Sequence, residues 1–168
     1  MTVTVALLAD MQDRQQIADA LARFCSCVDD YDMAGLSDVF TQDCMTDYGP
    51  GRGGPVRGLS AVRARIARGQ SEFVRTHHQL GQSTVTLRGD TASAVTYVTA
   101  THQHRIGSER SRAHLRYLDE LVRTDHGWRI TTRVVHANLV DGFEGVPWLW
   151  APRHEPQTGA EASPGSVD

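Results

Sequence analysis

Residues 79–105 of the chain, QLGQSTVTLRGDTASAVTYVTATHQHR, decide the fold class. Threonine and valine recur along the whole stretch, and such β-branched residues favour extended strands. Gly89-Asp90 interrupts the pattern near its middle, as the two-residue turn of a β-hairpin does. The sequence therefore predicts two long antiparallel strands, residues 79–88 and 91–105, joined by a tight turn.

The strand pattern continues towards the C-terminus. Residues 111–124 form a third predicted strand, and the tripeptide Asp125-His126-Gly127 turns it into a fourth at residues 128–139. The segments between these strands are too short to hold crossover helices, so the neighbours are expected to pair antiparallel in a meander.

The region before the hairpin has helical periodicity. Residues 12–30 predict an amphipathic helix, whose apolar face is formed by Ile17, Leu21, Phe24, Cys25 and Val28. Asp32 is expected to cap a short second helix at residues 33–40. Residues 60–73 predict a third helix, which follows a brief strand at residues 44–48 and a Gly/Pro loop at residues 49–58.

Helices first and a sheet afterwards indicate an α+β domain. We expect a curved, mixed or antiparallel sheet that curls around three N-terminal helices into a cone with an interior pocket. The predicted domain spans residues 10–153. It is flanked by an N-terminal extension, residues 1–9, and by a polar Pro/Gly/Ser-rich tail, residues 154–168, for which disorder is predicted.

Composition limits the classes of partner. The chain has 168 residues and a formal net charge of −3, so no basic stripe for nucleic acid or polybasic membrane patch is expected. No apolar run approaches the ~20 residues of a membrane span. The N-terminus lacks the features of a signal peptide, and three cysteines, Cys25, Cys27 and Cys44, predict free thiols in a reducing cytoplasm.

Asp29 is the first candidate for chemistry. It lies four residues beyond Cys25, at the edge of the apolar helical face, where a carboxylate is costly unless another group pairs with it. The sequence offers a structural alternative, in which Asp29 only closes the helix within the acidic run Asp29-Asp30.

Histidines provide the candidate partners. His77 and His78 open the first long strand, so one of the two is expected to point inward, whereas His102 and His104 share a face of the next strand. A histidine beside a buried carboxylate is suited to proton transfer, since the carboxylate fixes the tautomer of the ring.

These features together resemble the nuclear transport factor 2-like superfamily, and within it the scytalone dehydratases and SnoaL-like enzymes. The likeness spans roughly residues 14–138. It is carried by VDDYD at residues 28–32, DY at 47–48, RTHH at 75–78 and RTDHGW at 123–128. The resemblance implies a cofactor-independent enzyme and a homodimer or homotrimer.

The resemblance also implies roles for single residues. Asp29 matches an aspartate that orients a catalytic histidine, His78 matches that general base and acid, and Tyr48 matches a tyrosine that polarises a substrate carbonyl. His102 falls near a second pocket histidine, and His104 competes with it for this position. The implied substrate-binding residues are Phe24, Val28, His104, Tyr117 and Arg133.

The expected substrate is a small cyclic or polyketide-like carbonyl compound. Removing the proton next to a carbonyl creates an enolate, and expulsion of water from that enolate would make the protein a dehydratase. Cyclisation and isomerisation are the alternatives within the same family. Val28 and Phe24 stand where relatives carry tyrosines, so the resemblance leaves the identity of the substrate open.

Three rival interpretations use different features. His102, His104 and Glu109 have the spacing of cupin metal ligands, although the helical first third argues against a jelly roll. The fold also serves as the structural small subunit of ring-hydroxylating dioxygenases and as a non-catalytic ligand carrier. Trp148 and Trp150 follow the last strand, where they would either close the mouth of the cone or pack at a subunit interface.

Overall fold

The computed structural model describes residues 2–107 and 109–153. Within them, the helices and strands are α1 (Thr2–Asp29), β1 (Phe40–Asp47), β2 (Pro55–Arg57), α2 (Leu59–Gln70), β3 (Phe73–Arg88), β4 (Thr91–His104), β5 (Arg110–Thr124) and β6 (Gly127–Asp141). Single turns of 3-10 helix occur at Gly35–Asp38 and Pro50–Arg52.

The six strands form one curved, unclosed sheet in the order β2-β1-β6-β5-β4-β3. Strand β1 runs parallel to β6, and every other neighbouring pair is antiparallel. Register shifts interrupt the pairing of β3 with β4 between Leu80 and Ser83, and such bulges bend and twist a strand. The predicted α+β cone with a mixed sheet is therefore confirmed.

The core lies between the helices and the concave face of the sheet. Ile17, Leu21 and Phe24 of α1 are almost completely buried, as their helical spacing predicts. Alternate residues of β4 face them across the core, among them Val98 and Ala100. The Gly89-Asp90 turn joins Arg88 directly to its pairing partner Thr91, as predicted.

The prediction of three helices is wrong. The segment at residues 33–40 contains only the 3-10 turn, whose N-cap residue is Ala34 and not the predicted Asp32. Asp32 still accepts a hydrogen bond from the Gly35 amide at 2.9 Å. Helix α1 also begins ten residues before the predicted start at Gln12. Its first turns leave Val5, Leu8 and Met11 exposed, so no buried face marks them in the sequence.

The Gly/Pro loop is more ordered than predicted. Residues 55–57 add strand β2 to the edge of the sheet, where it pairs with β1. Helix α2 ends at Gln70, three residues early, because Phe73 already begins β3 and pairs with His104. These boundaries depend on pairing between distant segments, which no local pattern encodes.

The remaining predictions concern the cysteines, membrane spans and the boundaries of the domain. The three cysteines are unpaired, as expected. No helix among the described residues has both the length and the apolar character needed to cross a membrane. Helix α1 includes residues 2–9, and the division of the chain at residues 9 and 153 stays a prediction. The tail at residues 154–168 lies outside the described residues.

Candidate active site

Asp29 and His78 form a hydrogen-bonded pair inside the cone. Asp29 is the last residue of α1, and His78 lies on β3, which packs beside that helix end. The Nδ1 atom of His78 is 2.7 Å from Oδ1 of Asp29, and the His78 backbone amide donates to Oδ2 at 2.8 Å. The Thr76 hydroxyl donates to Oδ1 at 2.8 Å, so the carboxylate accepts three hydrogen bonds.

These bonds determine which ring nitrogen of His78 carries a hydrogen. Burial acts to raise the pKa of Asp29 and is the largest single influence, but the hydrogen bonds from His78 and Thr76 together hold this pKa below its ordinary value. An ionised carboxylate only accepts hydrogen bonds, so Nδ1 of His78 must carry the hydrogen. The neutral ring then keeps its lone pair on Nε2, where a proton can be taken up.

Strand alternation separates the two adjacent histidines, as predicted. The side chain of His78 is only 6% exposed, whereas that of His77 is 74% exposed on the opposite face of β3. His77 Nδ1 still lies 4.0 Å from Asp29 Oδ2 at the edge of the pair. His78 is therefore the histidine that faces the interior.

A pocket of about 70 Å³ that is open to solvent lies in front of His78. Its apolar wall contains the predicted Phe24, Val28 and Tyr117, together with Ile66. Its polar wall contains Tyr48, Arg52, Arg65 and Gln70. The pocket thus combines a potential base with several hydrogen-bonding groups.

Tyr48 has a fully buried hydroxyl without a hydrogen-bond acceptor among the described residues, while the Arg133 guanidinium, as a hydrogen-bond donor to its oxygen, acts to lower its pKa. The Arg65 guanidinium lies 4.6 Å from the centre of the Tyr48 ring. Burial raises the pKa of Tyr48 above its ordinary value, against the opposing effect of Arg133 and Arg65. The phenol is therefore neutral at physiological pH and available as a donor to a ligand.

Arg133 lies behind the pocket wall and does not line the pocket. It is completely buried and forms a bidentate pair with Asp119, with both N–O distances at 2.7 Å. Its guanidinium lies over the rings of Tyr117 at 4.1 Å and Phe24 at 4.2 Å. The structure therefore places Arg133 where it supports two pocket residues, and direct substrate contact stays a prediction.

His102 lies next to His78 without lining the pocket. Its ring packs edge-on against His78, with ring centres 5.7 Å apart, and at a tilt against Phe73, with ring centres 4.4 Å apart. Burial is the main cause that lowers the pKa of His102 to about 3, and the charges of His78 and Arg52 add to this effect. His102 is therefore neutral at physiological pH, which removes it as a proton-donating imidazolium.

His102 should make the protein acid-sensitive. Between pH 6.5 and about 3 the unfolded chain binds a proton at His102 that the folded chain does not, so stability falls as the pH falls. A full one-proton difference corresponds to ~1.4 kcal/mol per pH unit. Urea unfolding at several pH values in this range measures the free energy of unfolding. This free energy should fall less steeply with falling pH for His102→Phe than for the wild type. If the free energy of unfolding falls equally steeply with pH in both proteins, the lowered pKa of His102 is contradicted.

His104 points to a neighbouring opening, and its Nε2 lies 2.9 Å from the Ser111 hydroxyl. The cupin-like set of His102, His104 and Glu109 does not assemble into a cluster. Across residues 2–107 and 109–153, no three His, Cys, Asp or Glu side chains come close enough together to hold a metal ion.

Four polar residues of the site were not predicted. Thr76 shares a strand face with His78, and Arg65 shares the helical face of Val62 and Ile66, so both patterns held a signal. Gln70 lies one helical turn beyond Ile66. Arg52 lies in the Gly/Pro loop, where no periodicity indicates a direction.

The segment after β6 folds back over the mouth of the cone. The Ala137 amide donates to the Leu149 carbonyl at 2.8 Å, and the Ala151 amide donates to the Ala137 carbonyl at 2.8 Å. Trp148 packs against Phe143, with ring centres 5.3 Å apart. Trp150 is 54% exposed. Whether either tryptophan closes the mouth or packs at a subunit interface stays a prediction.

Comparisons with known proteins identify relatives over most of the chain. A family model described as a SnoaL-like domain matches residues 9–134. An uncharacterised protein of Mycobacterium tuberculosis is 31% identical over 130 residues, which cover 76% of this chain and 86% of that protein.

Solved structures share the cone. A Novosphingobium aromaticivorans protein provisionally named a scytalone dehydratase has a TM-score of 0.78 at 18% identity and covers 92% of this chain and 100% of its own. A protein of the same species, provisionally named an aromatic ring hydroxylase, has a TM-score of 0.72 at 28% identity. That alignment covers 78% of this chain and 93% of the other. At 18% identity the first likeness shows the fold alone.

Proposed function

The chain belongs to the family of SnoaL-like domains, which includes enzymes that process small molecules, and from this premise we propose that its pocket removes water from a small cyclic carbonyl compound. The observation that carries the proposal is the Asp29–His78 pair beside a pocket that also contains the unpartnered Tyr48 hydroxyl. The reaction would make the protein a lyase that needs no cofactor.

In the first step, Nε2 of His78 takes a proton from the carbon next to the substrate carbonyl. The electrons of the C–H bond form a carbon–carbon double bond, and the carbonyl oxygen becomes an enolate. Asp29 stabilises the imidazolium that results, because it already accepts the Nδ1 hydrogen. General acid–base catalysis of this kind contributes ~10²–10⁴-fold to the rate.

Tyr48 is the proposed donor to the enolate oxygen. Its hydroxyl has no protein acceptor among the described residues, so binding a carbonyl oxygen breaks no existing hydrogen bond. Burial keeps water away and strengthens the interaction. The nearby cations Arg65 and Arg133 favour negative charge at this end of the pocket.

In the second step, the enolate re-forms the carbonyl and expels a hydroxyl group from the next carbon. The imidazolium of His78 returns its proton to this leaving group, so the products are water and a conjugated ketone. The histidine is then neutral again, and no oxidant or reductant takes part. The same residue acts first as base and then as acid.

Two substrates test the proposal separately. With β-tetralone in D2O, which has no leaving group, the protein should accelerate deuterium incorporation next to the carbonyl, measured by NMR. A β-hydroxy tetralone should lose water to give a naphthol, measured by its absorbance. If the protein accelerates neither reaction although it binds both ketones, it is a binding protein and the proposed function is wrong.

Tyr48→Phe should slow turnover without abolishing binding. Removing one donor to a developing oxyanion costs ~10²–10³-fold in kcat, and KM should change much less because the ground-state carbonyl is bound more weakly than the enolate. Steady-state kinetics with the β-hydroxy tetralone would measure both constants. An unchanged kcat would remove Tyr48 from the mechanism.

A further inference from the structure

Arg52 lies at the junction of two openings. It lines the pocket of His78 and Tyr48, and it also lines a wider outer opening next to His104 and Phe143. Arg65 and Gly69 are shared in the same way, so the two spaces adjoin. A ligand that occupies the inner pocket would therefore extend past the Arg52 guanidinium.

The Arg52 side chain is half-buried and lacks a counter-charge. Its guanidinium carbon lies 5.5 Å from the ring centre of Phe143 and 5.2 Å from that of Trp148. No carboxylate among the described residues lies within 4.0 Å of its nitrogens, and none of its N–H groups has a protein acceptor there. Aromatic faces stabilise the charge but leave the planar N–H donors unused.

The backbone holds this arginine in place. The Gly51 amide donates to the Pro147 carbonyl at 2.9 Å, which joins the Gly/Pro loop to the segment that folds over the mouth. A Cβ atom at Gly51 would lie 2.6 Å from that carbonyl oxygen, so only glycine permits this approach. Because this contact holds the backbone next to Arg52, the Arg52 side chain needs no large rearrangement to reach a ligand in the pocket.

Hydrogen-bond donors exceed acceptors around this junction. Among the residues lining the inner pocket, the Tyr48 hydroxyl and Arg65 Nε are buried donors without partners among the described residues, whereas Gln70 Oε1 is a buried acceptor without a partner. Glu72 borders the outer opening, but its side chain is exposed. A ligand rich in acceptor oxygens would satisfy these donors.

We propose that the substrate carries a carboxylate, which Arg52 binds while the ring carbonyl lies at Tyr48 and His78. The inference rests on the proposed function for the position of the carbonyl. A guanidinium matches a carboxylate through two parallel hydrogen bonds. A phosphate dianion would need a second cation. Arg65 already donates to the Thr46 and Gly54 carbonyls, and Arg68, which also lines the outer opening, is exposed to solvent.

Binding of naphthalene carboxylate and of its uncharged carboxamide, measured by calorimetry, tests the inference. Charge-assisted pairing should make the carboxylate bind roughly 10- to 100-fold more tightly to the wild type. Arg52→Gln should remove this preference, and thermal unfolding verifies that the variant is folded. Arg52→Lys keeps the charge without the planar fork and should show an intermediate preference.

Arg57→Gln is the matched control, because it changes the net charge equally at an exposed residue of β2. It should keep the full preference. The inference is overturned if the wild type does not prefer the carboxylate, if Arg52→Gln retains the preference, or if inorganic phosphate displaces the carboxylate at lower concentration than acetate does. The carboxylate preference is a binding measurement that needs no turnover, so a failure here is distinguishable from a failure of the proposed catalysis.

Discussion

His78→Gln should lower the rate of deuterium exchange into β-tetralone by roughly 10²–10⁴-fold, the usual contribution of a general base. Glutamine can replace the hydrogen bond to Asp29 but cannot take up a proton at the position of Nε2. NMR of the ketone gives the rate, and thermal unfolding verifies that the variant is folded. A folded variant with the wild-type rate would show that His78 is not the base.

The matched control is His77→Gln, on the exposed face of the same strand, which should keep nearly the wild-type rate. Asp29→Asn should also be strongly impaired, because an amide no longer stabilises the imidazolium. The losses of rate caused by Asp29→Asn and His78→Gln should not be additive in the double variant, since removing either member of the pair already disables the other. Additive losses would indicate that the two side chains act independently.

Asp119→Ala should lower the free energy of unfolding by about 3–5 kcal/mol, because it leaves the charge of Arg133 buried without its partner. Both side chains are completely buried, and the guanidinium makes its two strongest bonds to this carboxylate. Urea unfolding followed by far-UV circular dichroism measures the loss. A change below ~1 kcal/mol would mean that water reaches Arg133 after the substitution.

Two further variants separate charge from packing. Asp10→Ala removes the exposed pair with Arg14 on α1 and should cost at most ~1 kcal/mol. The double variant Asp119→Leu/Arg133→Met removes both charges and should recover most of the stability lost in Asp119→Ala, since apolar replacement of a buried pair is often neutral. A double variant as unstable as Asp119→Ala would attribute the loss to packing.

The sequence indicated the strands better than the helices. The alternation of side chains and the Gly89-Asp90 turn predicted the β3–β4 hairpin correctly, because each of these signals is contained in a few neighbouring residues. The predicted helix at residues 33–40 failed because Asp32 is not followed by enough turns to stabilise a helix. Strand β2 was missed because its three residues are ordered only by pairing with β1.

For the site, the sequence by itself determined that Asp29 ends an amphipathic helix and that His78 shares a strand face with Thr76, because periodicity sets the direction of side chains. Asp29 and His78 are 49 residues apart along the chain, and their contact depends on how the sheet curves beneath α1. The pairing of Arg133 with Asp119 behind the pocket and the contact of Arg52 with Phe143 and Trp148 became visible in the folded chain alone. Burial and counter-charge are properties of the assembled neighbours, and local sequence patterns do not specify those neighbours.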